Sequence, residues 1–157
     1  MRYDFGVNPP EPSLLAKLRG AVARGPAVRL AVLFGSQATG KAVTHSDVDV
    51  GFAPVDGQLP MAEELAFASA LSAVTGTEVD LVRLDHAPPI LGLEIARSGV
   101  CVYEAEPGAF AAWRAAAMSR WIDFDEMIAP HRERFLQRLA RRAAPRSLRS
   151  PAGGERP

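Results

Sequence analysis

Two carboxylates separated by one residue, Asp47 and Asp49, are the part of the sequence best suited to chemistry. They alternate with Val48, Val50 and Phe52, which predicts a strand with apolar side chains on one face and both carboxylates on the other. Two ionised carboxylates held this close repel each other unless a cation neutralises them. Mg²⁺ suits such oxygen ligands, and it takes its remaining ligands from water and substrate phosphates. The pair therefore predicts a site for a metal and a phosphorylated substrate.

A Gly-Ser turn, Gly35-Ser36, precedes this carboxylate pair in the chain. The apolar run Val28–Phe34 is rich in β-branched residues and predicts a buried strand that ends at the turn. Glycine lets a backbone approach a ligand closely, and Ser36 offers an N–H group and a hydroxyl to a phosphate. The turn therefore predicts the nucleotide side of the same site.

A third carboxylate is expected on a later strand. A crossover helix over residues 61–75 leads to a strand from Glu78 to Leu84. Asp80 lies among apolar neighbours in this strand, where a charged residue otherwise has no reason to be. If the strand lies beside that of the first carboxylate pair, Asp80 completes the site. Glu78, on the same face but nearer the turn, and Asp85, beyond the strand as a turn or capping residue, remain alternatives.

The Gly-Ser turn, ten further residues and then Asp47-Val48-Asp49 resemble the signature of the minimal nucleotidyltransferases of the DNA polymerase β-like superfamily. Within this superfamily the chain is most similar to the MNT antitoxins that partner HEPN-domain toxins. The resemblance extends to Ser46 inside the gap and to the strand Val79–Val82. It thus implies the same third acidic residue, Asp80.

This resemblance implies transfer of AMP from ATP to a hydroxyl, with a tyrosine of a cognate HEPN ribonuclease toxin as acceptor. It implies two Mg²⁺ ions and a hetero-oligomer with the toxin. The residues concerned are Gly35, Ser36 and Ser46 at the nucleotide, and Asp47, Asp49 and Asp80 at the metals and as the catalytic carboxylates. Two alternatives stay open: an antitoxin that acts by binding alone with a vestigial nucleotide site, and transfer to a small molecule such as an aminoglycoside. A neighbouring reading frame for an Arg-x₄-His HEPN protein would favour either antitoxin function.

One position departs from the family pattern. Members often carry a basic residue directly before the second glycine of this segment, where this chain has Thr39. Lys41, two residues later, is the alternative cation for the triphosphate, although a loop lysine commonly points into solvent. His45, next to Ser46, is a further candidate as general base, but the chemistry does not require it.

Composition and charge bound the fold. The chain has 157 residues and no formal net charge, and 48% of its residues are hydrophobic, which indicates a folded domain and excludes a disordered chain. The element order predicts an α/β (α+β) fold, with a small mixed β-sheet flanked by helices. Residues 1–107 form the expected nucleotidyltransferase domain and 108–142 form helices, bent or broken near Pro130, that pack on it and on a partner. A mobile basic tail is expected over 143–157.

Further local expectations follow from the pattern. Ser13 is the expected N-cap of a helix over residues 14–24, and Leu65, Ala68, Leu71 and Val74 are the expected buried face of the crossover helix. The single cysteine, Cys101, excludes an intramolecular disulfide. Neither a signal peptide nor an apolar run of membrane-spanning length is present, so a cytoplasmic protein without a membrane partner is expected. Nucleic acid is not an expected partner.

Overall fold

The computed structural model describes residues 9–42 and 46–143 of the chain. The helices within these ranges are α1 (Pro12–Arg24), α2 (Gly35–Ala38), α3 (Met61–Thr75), α4 (Pro89–Ser98) and α5 (Ala109–Ala143), with a 3₁₀ turn at Leu84–His86. The strands are β1 (Val28–Phe34), β2 (Val48–Pro54), β3 (Val79–Arg83) and β4 (Val100–Glu104). The chain divides into two compact units, Met1–Ile122 and Asp123–Pro157.

The four strands of the first unit form one mixed sheet in the order β3-β2-β1-β4. β1 runs antiparallel to β2 and to β4, whereas β2 and β3 are parallel. A parallel pair needs a crossover connection, and α3 supplies it between β2 and β3. The predicted α+β fold, a small mixed sheet flanked by helices, is confirmed.

Hydrophobic clusters cover both faces of this sheet. Ala31 and Leu33 of β1 belong to one cluster, and Leu30 and Val32 belong to the other. Consecutive residues of β1 point to opposite faces, so a strand covered on both sides must be apolar at nearly every position. The first cluster includes Leu18, Val22, Phe67 and Leu71 from α1 and α3, and the second includes Ile95, Ala96, Trp113 and Ala117 from α4 and α5.

One local prediction was wrong and another was correct only in part. Helix α1 begins at Pro12, because proline fits the first helical turn, where its missing N–H costs nothing. Ser13 is therefore inside the helix and is not its N-cap. In α3, Leu65 is 62% exposed and Phe67 is buried in its place. Leu71 is buried as predicted, so the predicted face was correct in part. Most residues of α3 are small or apolar, so the helical period alone did not distinguish Leu65 from Phe67.

The second unit contains the C-terminal part of α5. The helix continues through Pro130 as one element up to Ala143. The sequence pattern left two helices or one bent helix open near Pro130, and the structure has a single helix. Met127, Phe135 and Leu139 are exposed in this unit. The predicted mobile tail begins at Ala143, and its remaining residues, 144–157, lie outside the described residues.

No helix in the described part of the chain is both long enough and apolar enough to cross a membrane.

Candidate active site

In the Gly-Ser turn, the backbone of Gly35 lies in contact with the carboxylate of Asp49. Gly35 directly follows β1 and has a φ of 71°, in the left-handed region that favours glycine. A Cβ atom at this position would overlap the Oδ2 atom of Asp49. Glycine is therefore required twice, for the backbone conformation and for the close approach of Asp49.

The register of the sheet aligns the predicted carboxylates. Phe34, the last residue of β1, is paired with Asp49, and Asp49 is paired with Asp80 on the parallel strand β3. Paired residues on neighbouring strands point to the same face, so both carboxylates lie on one side of the sheet. Asp47 precedes β2 and falls on the same side by alternation. Asp47 and Asp80 are exposed, whereas Asp49 is half-buried.

The electrostatics of Asp49 reflect this crowding. Burial is the main cause that raises the pKa of the Asp49 carboxyl above its ordinary value. The negative charges of Asp80, Asp47 and Glu94, in decreasing order, raise this pKa further. The effect of Asp80 and Asp47 on Asp49 indicates that the three predicted carboxylates are brought together.

Glu94 is an acidic residue at this site that sequence reasoning missed. It lies on α4, and its charge acts on Asp49 although no strand pairing connects them. A glutamate at an exposed helix position is ordinary on any soluble protein. The sequence carried no signal for it.

The two alternative third carboxylates lie differently. Asp85 forms an ion pair with Arg29, Oδ1 to Nη2 at 2.5 Å, and Arg29 lies at the start of β1, whereas Gly35 follows its end. Glu78 is adjacent to Val79 before β3, and its carbonyl oxygen accepts a hydrogen bond of 3.0 Å from the Val48 N–H group. Among the described residues, the carboxylates whose charge raises the pKa of Asp49 do not include Glu78 or Asp85.

A hydrogen bond from a side chain to the backbone ties the turn to the segment before β2. The Gln37 amide Nε2 donates to the Ser46 carbonyl oxygen at 3.3 Å. Ser46 itself is half-buried. Gln37 thus joins the Gly-Ser turn to the segment that carries Asp47. Sequence reasoning missed this contact because it spans nine residues and follows no local pattern.

Thr39 and Lys41 complete the turn. The Thr39 hydroxyl donates to the Gly35 carbonyl oxygen at 3.2 Å, so this side chain closes back onto its own helix. The Lys41 backbone N–H donates to the Ser36 carbonyl oxygen at 3.0 Å, and the Lys41 side chain is exposed. A phosphate contact from Lys41 stays a prediction. His45 lies outside the described residues.

The donor set fits Mg²⁺ bound together with a nucleotide. In residues 9–42 and 46–143, no three acidic, histidine or cysteine side chains lie close enough to enclose a metal ion by themselves. Mg²⁺ usually needs only one or two protein carboxylates and takes its other ligands from water and phosphates. Asp47, Asp49 and Asp80 offer anionic oxygens on one side of the sheet edge, next to the Gly-Ser turn. They suit an open metal site and not a closed structural one.

A comparison with protein families matches residues 16–107 to the model described as polymerase beta, nucleotidyltransferase. The chain belongs to this nucleotidyltransferase family. The matched range includes the Gly-Ser turn and all three aspartates. A search of curated protein sequences gave no significant match.

Several solved structures share the fold of this nucleotidyltransferase. A chain of a toxin–antitoxin structure with AMP-PNP superposes with a TM-score of 0.68 at 20% identity, over 78% of this chain and 98% of that one. The MntA–HepT toxin–antitoxin structure gives 0.65 at 17% identity, over 80% and 99% of the two chains. A tri-AMPylated Shewanella oneidensis HEPN toxin in complex with its MNT antitoxin gives 0.61 at 16% identity, over 78% and 98%. The predicted resemblance to MNT antitoxins of HEPN pairs is confirmed, and identities this low show the fold alone.

Proposed function

We propose that this nucleotidyltransferase transfers AMP from ATP to a tyrosine hydroxyl of a HEPN-domain toxin in the cytoplasm and thereby acts as its antitoxin. The observation that carries the proposal is the alignment of Asp49 with Asp80, with Gly35 in contact with Asp49. The comparison structures support the partner class, since one contains a tri-AMPylated HEPN toxin and another contains AMP-PNP.

The chain's own carboxylates have two tasks in this proposal. Asp47, Asp49 and Asp80 would hold two Mg²⁺ ions, with Asp49 at the centre because it adjoins both the turn and β3. When bound, Mg²⁺ neutralises triphosphate charge and makes an acceptor hydroxyl more acidic. Bound cations would also relieve the repulsion among the three carboxylates, which otherwise disfavours the ionised form of Asp49.

The Gly-Ser turn would orient the donor. Gly35 and Ser36 bind the β- and γ-phosphates through backbone N–H groups and the Ser36 hydroxyl, and Ser46 and Lys41 contribute from the following segment. The α-phosphorus then lies in line with the acceptor hydroxyl. The hydroxyl oxygen forms the new bond to phosphorus, the bond to the bridging oxygen breaks, and pyrophosphate leaves. The hydroxyl proton passes to the exposed Asp80 carboxylate.

Exposed apolar side chains on the C-terminal helix favour a protein as the acceptor. In the second unit, Met127, Phe135, Leu136 and Leu139 expose between 44% and 64% of their surface. Phenylalanine and methionine are enriched in protein interfaces relative to the rest of the surface. We assign these residues to contact with the toxin, where they would also support inhibition by binding.

Intact mass spectrometry of a candidate HEPN-domain toxin tests the proposal. After incubation with this protein, ATP and Mg²⁺, the HEPN protein should gain the mass of one or more adenylyl groups on tyrosine. The control is Asp47→Asn/Asp49→Asn, which should add none. If the HEPN protein is bound and inhibited but not modified, the chain acts as an antitoxin by binding alone and does not transfer AMP. If the HEPN protein is neither modified nor bound, the antitoxin proposal is wrong.

The third carboxylate has its own matched test. Asp80→Asn should lower the rate of adenylyl transfer by about 10²-fold, because the charge opposite Asp49 is lost. Glu78→Gln removes the same charge two residues earlier in the chain and should change the rate less than about threefold. Single-turnover rates with Mg²⁺ and ATP measure both variants. If Glu78→Gln lowers the rate more than Asp80→Asn does, the third metal ligand is Glu78 and not Asp80.

A further inference from the structure

A cavity of about 720 Å³ lies in the first unit beside the C-terminal end of α2. Its lining includes three cationic side chains, Arg19, Arg97 and Arg114, and we name it the arginine pocket. Thr39 forms part of the wall. The described residues that line the pocket include no acidic side chain. The pocket therefore concentrates positive charge at a concave surface, and none of Asp47, Asp49 and Asp80 is part of it.

Two of the guanidinium groups are fixed by the backbone. The Arg19 Nε–H donates to the Val102 carbonyl oxygen at 3.1 Å, and the Arg114 Nε–H donates to the Ala96 carbonyl oxygen at 2.7 Å. Arg114 also lies over the Phe110 ring, with its Cζ atom 5.5 Å from the ring centroid. Within the described chain, no hydrogen bond or ion pair involves the Nη atoms of either arginine. These Nη groups are held in place and can donate to a ligand.

Arg97 supplies the third positive charge. It is exposed, and no ion pair or hydrogen bond engages its guanidinium in residues 9–42 and 46–143. Three like charges around one cavity repel one another, and an anion in the cavity would remove this repulsion. Guanidinium forks match phosphate oxygens in geometry and form short, charge-assisted hydrogen bonds with them. A phosphate group therefore fits the charge and the donors of the pocket.

The remaining walls indicate the size of the ligand. Pro9, Pro10, Leu15 and Val100 give the pocket an apolar side. Its volume lies in the range of about 300–1,000 Å³ found for small-molecule sites. A concave site with an apolar side favours a compact phosphorylated molecule over a nucleic acid backbone, which needs an extended basic surface.

We propose that the arginine pocket binds the phosphate groups of a small molecule, with Arg19, Arg97 and Arg114 as the cationic ligands. The phosphate groups could come from the polyphosphate end of the donor nucleotide or from a separate phosphorylated molecule. The proposal does not depend on adenylyl transfer, because the pocket includes none of the three aspartates.

Isothermal titration of the full chain with inorganic pyrophosphate, without divalent cations, tests this site. The wild-type protein should bind pyrophosphate, Arg97→Ala should raise the Kd by about tenfold, and Arg97→Glu should raise it further. Arg97 is the residue to change because it makes no bond that folding requires. Arg120→Ala, an exposed arginine on the same helix as Arg114, should leave the Kd unchanged. A wild-type protein that does not bind, or an Arg97→Glu variant that binds as well as wild type, would overturn the proposal.

Titration with AMP-PNP and Mg²⁺ distinguishes the two sources of phosphate. If the donor nucleotide fills the pocket, AMP-PNP prevents pyrophosphate binding and Arg97→Ala weakens AMP-PNP binding. If a separate molecule fills it, the protein saturated with AMP-PNP still binds pyrophosphate. Both results support the site. Asp47→Asn/Asp49→Asn should retain pyrophosphate binding even though it loses transfer. If Arg97→Glu keeps metal-free binding, the pyrophosphate site does not lie in the arginine pocket and the proposal is wrong.

Discussion

Asp49→Asn should strongly slow adenylyl transfer and, in the absence of metal, make the folded protein more stable. Lewis-acid stabilisation of a transition state contributes several kcal/mol, and each 1.4 kcal/mol is a factor of ten, so we expect a rate loss of about 10³-fold. The gain in stability has a separate cause. Asp49 is half-buried among three other carboxylates, and asparagine keeps its shape without the charge.

The expected gain in stability of Asp49→Asn over wild type depends on pH, and the raised pKa of Asp49 determines its direction. The pKa of Asp49 in the folded protein lies above its ordinary value of 3.8, so the native state keeps the proton at pH values where the unfolded chain has lost it. The ionised carboxylate therefore costs stability as the pH rises from 3.8 through the native pKa, and the cost is absent below 3.8. The difference in the free energy of unfolding between Asp49→Asn and wild type should grow across this window and then level off.

Thermal unfolding from pH 3 to pH 7 with EDTA measures this difference. A second series with Mg²⁺ measures how much the metal stabilises each protein. Mg²⁺ should raise the Tm of wild type and leave that of Asp49→Asn nearly unchanged, since only wild type keeps the central ligand. Asp123→Asn, at an exposed position of α5, is the matched control and should follow wild type in both series. A metal-free Asp49→Asn protein less stable than wild type would show that the charge of Asp49 does not destabilise the fold.

Local patterns predicted the carboxylates well, because their positions depend on strand periodicity. Asp47 and Asp49 alternate with apolar residues, and Asp80 lies on the strand after the crossover helix. Strict alternation assigns each side chain to a face before the tertiary structure is known. Together with the Gly-Ser turn, these residues indicated the family and the strands β2 and β3.

Contacts between distant segments could not be predicted in this way. The overlap of a Cβ at Gly35 with Asp49, the Gln37 bond to Ser46, and the approach of Glu94 all depend on register and helix placement. The arginine pocket is a further case, since Arg19, Arg97 and Arg114 come from three different helices. Each of these residues is ordinary in its own segment. Only the packed sheet brings them to a common place.

The second large effect concerns Gly35. We expect Gly35→Ala to lower both stability and transfer, in contrast to Asp49→Asn. A non-glycine residue at a φ of 71° costs about 1–2 kcal/mol. The new Cβ would also overlap the Asp49 Oδ2 atom, so the carboxylate must move. Displacing a reacting or ligand group by about 1 Å can cost 10²-fold in rate, which is the loss that we expect for transfer.

Gly76→Ala separates the two causes. Gly76 has a φ of 76° at the end of α3, and nothing lies within 4 Å of a Cβ added there. Backbone strain alone should therefore lower the free energy of unfolding of Gly76→Ala by about as much as in Gly35→Ala. The rate of transfer of Gly76→Ala should stay at the wild-type value. Urea unfolding and single-turnover rates of both variants give the comparison. If Gly35→Ala and Gly76→Ala show the same rate, Asp49 does not need its position against the turn. If only Gly35→Ala loses transfer, the close approach of Gly35 to Asp49 is required for the reaction.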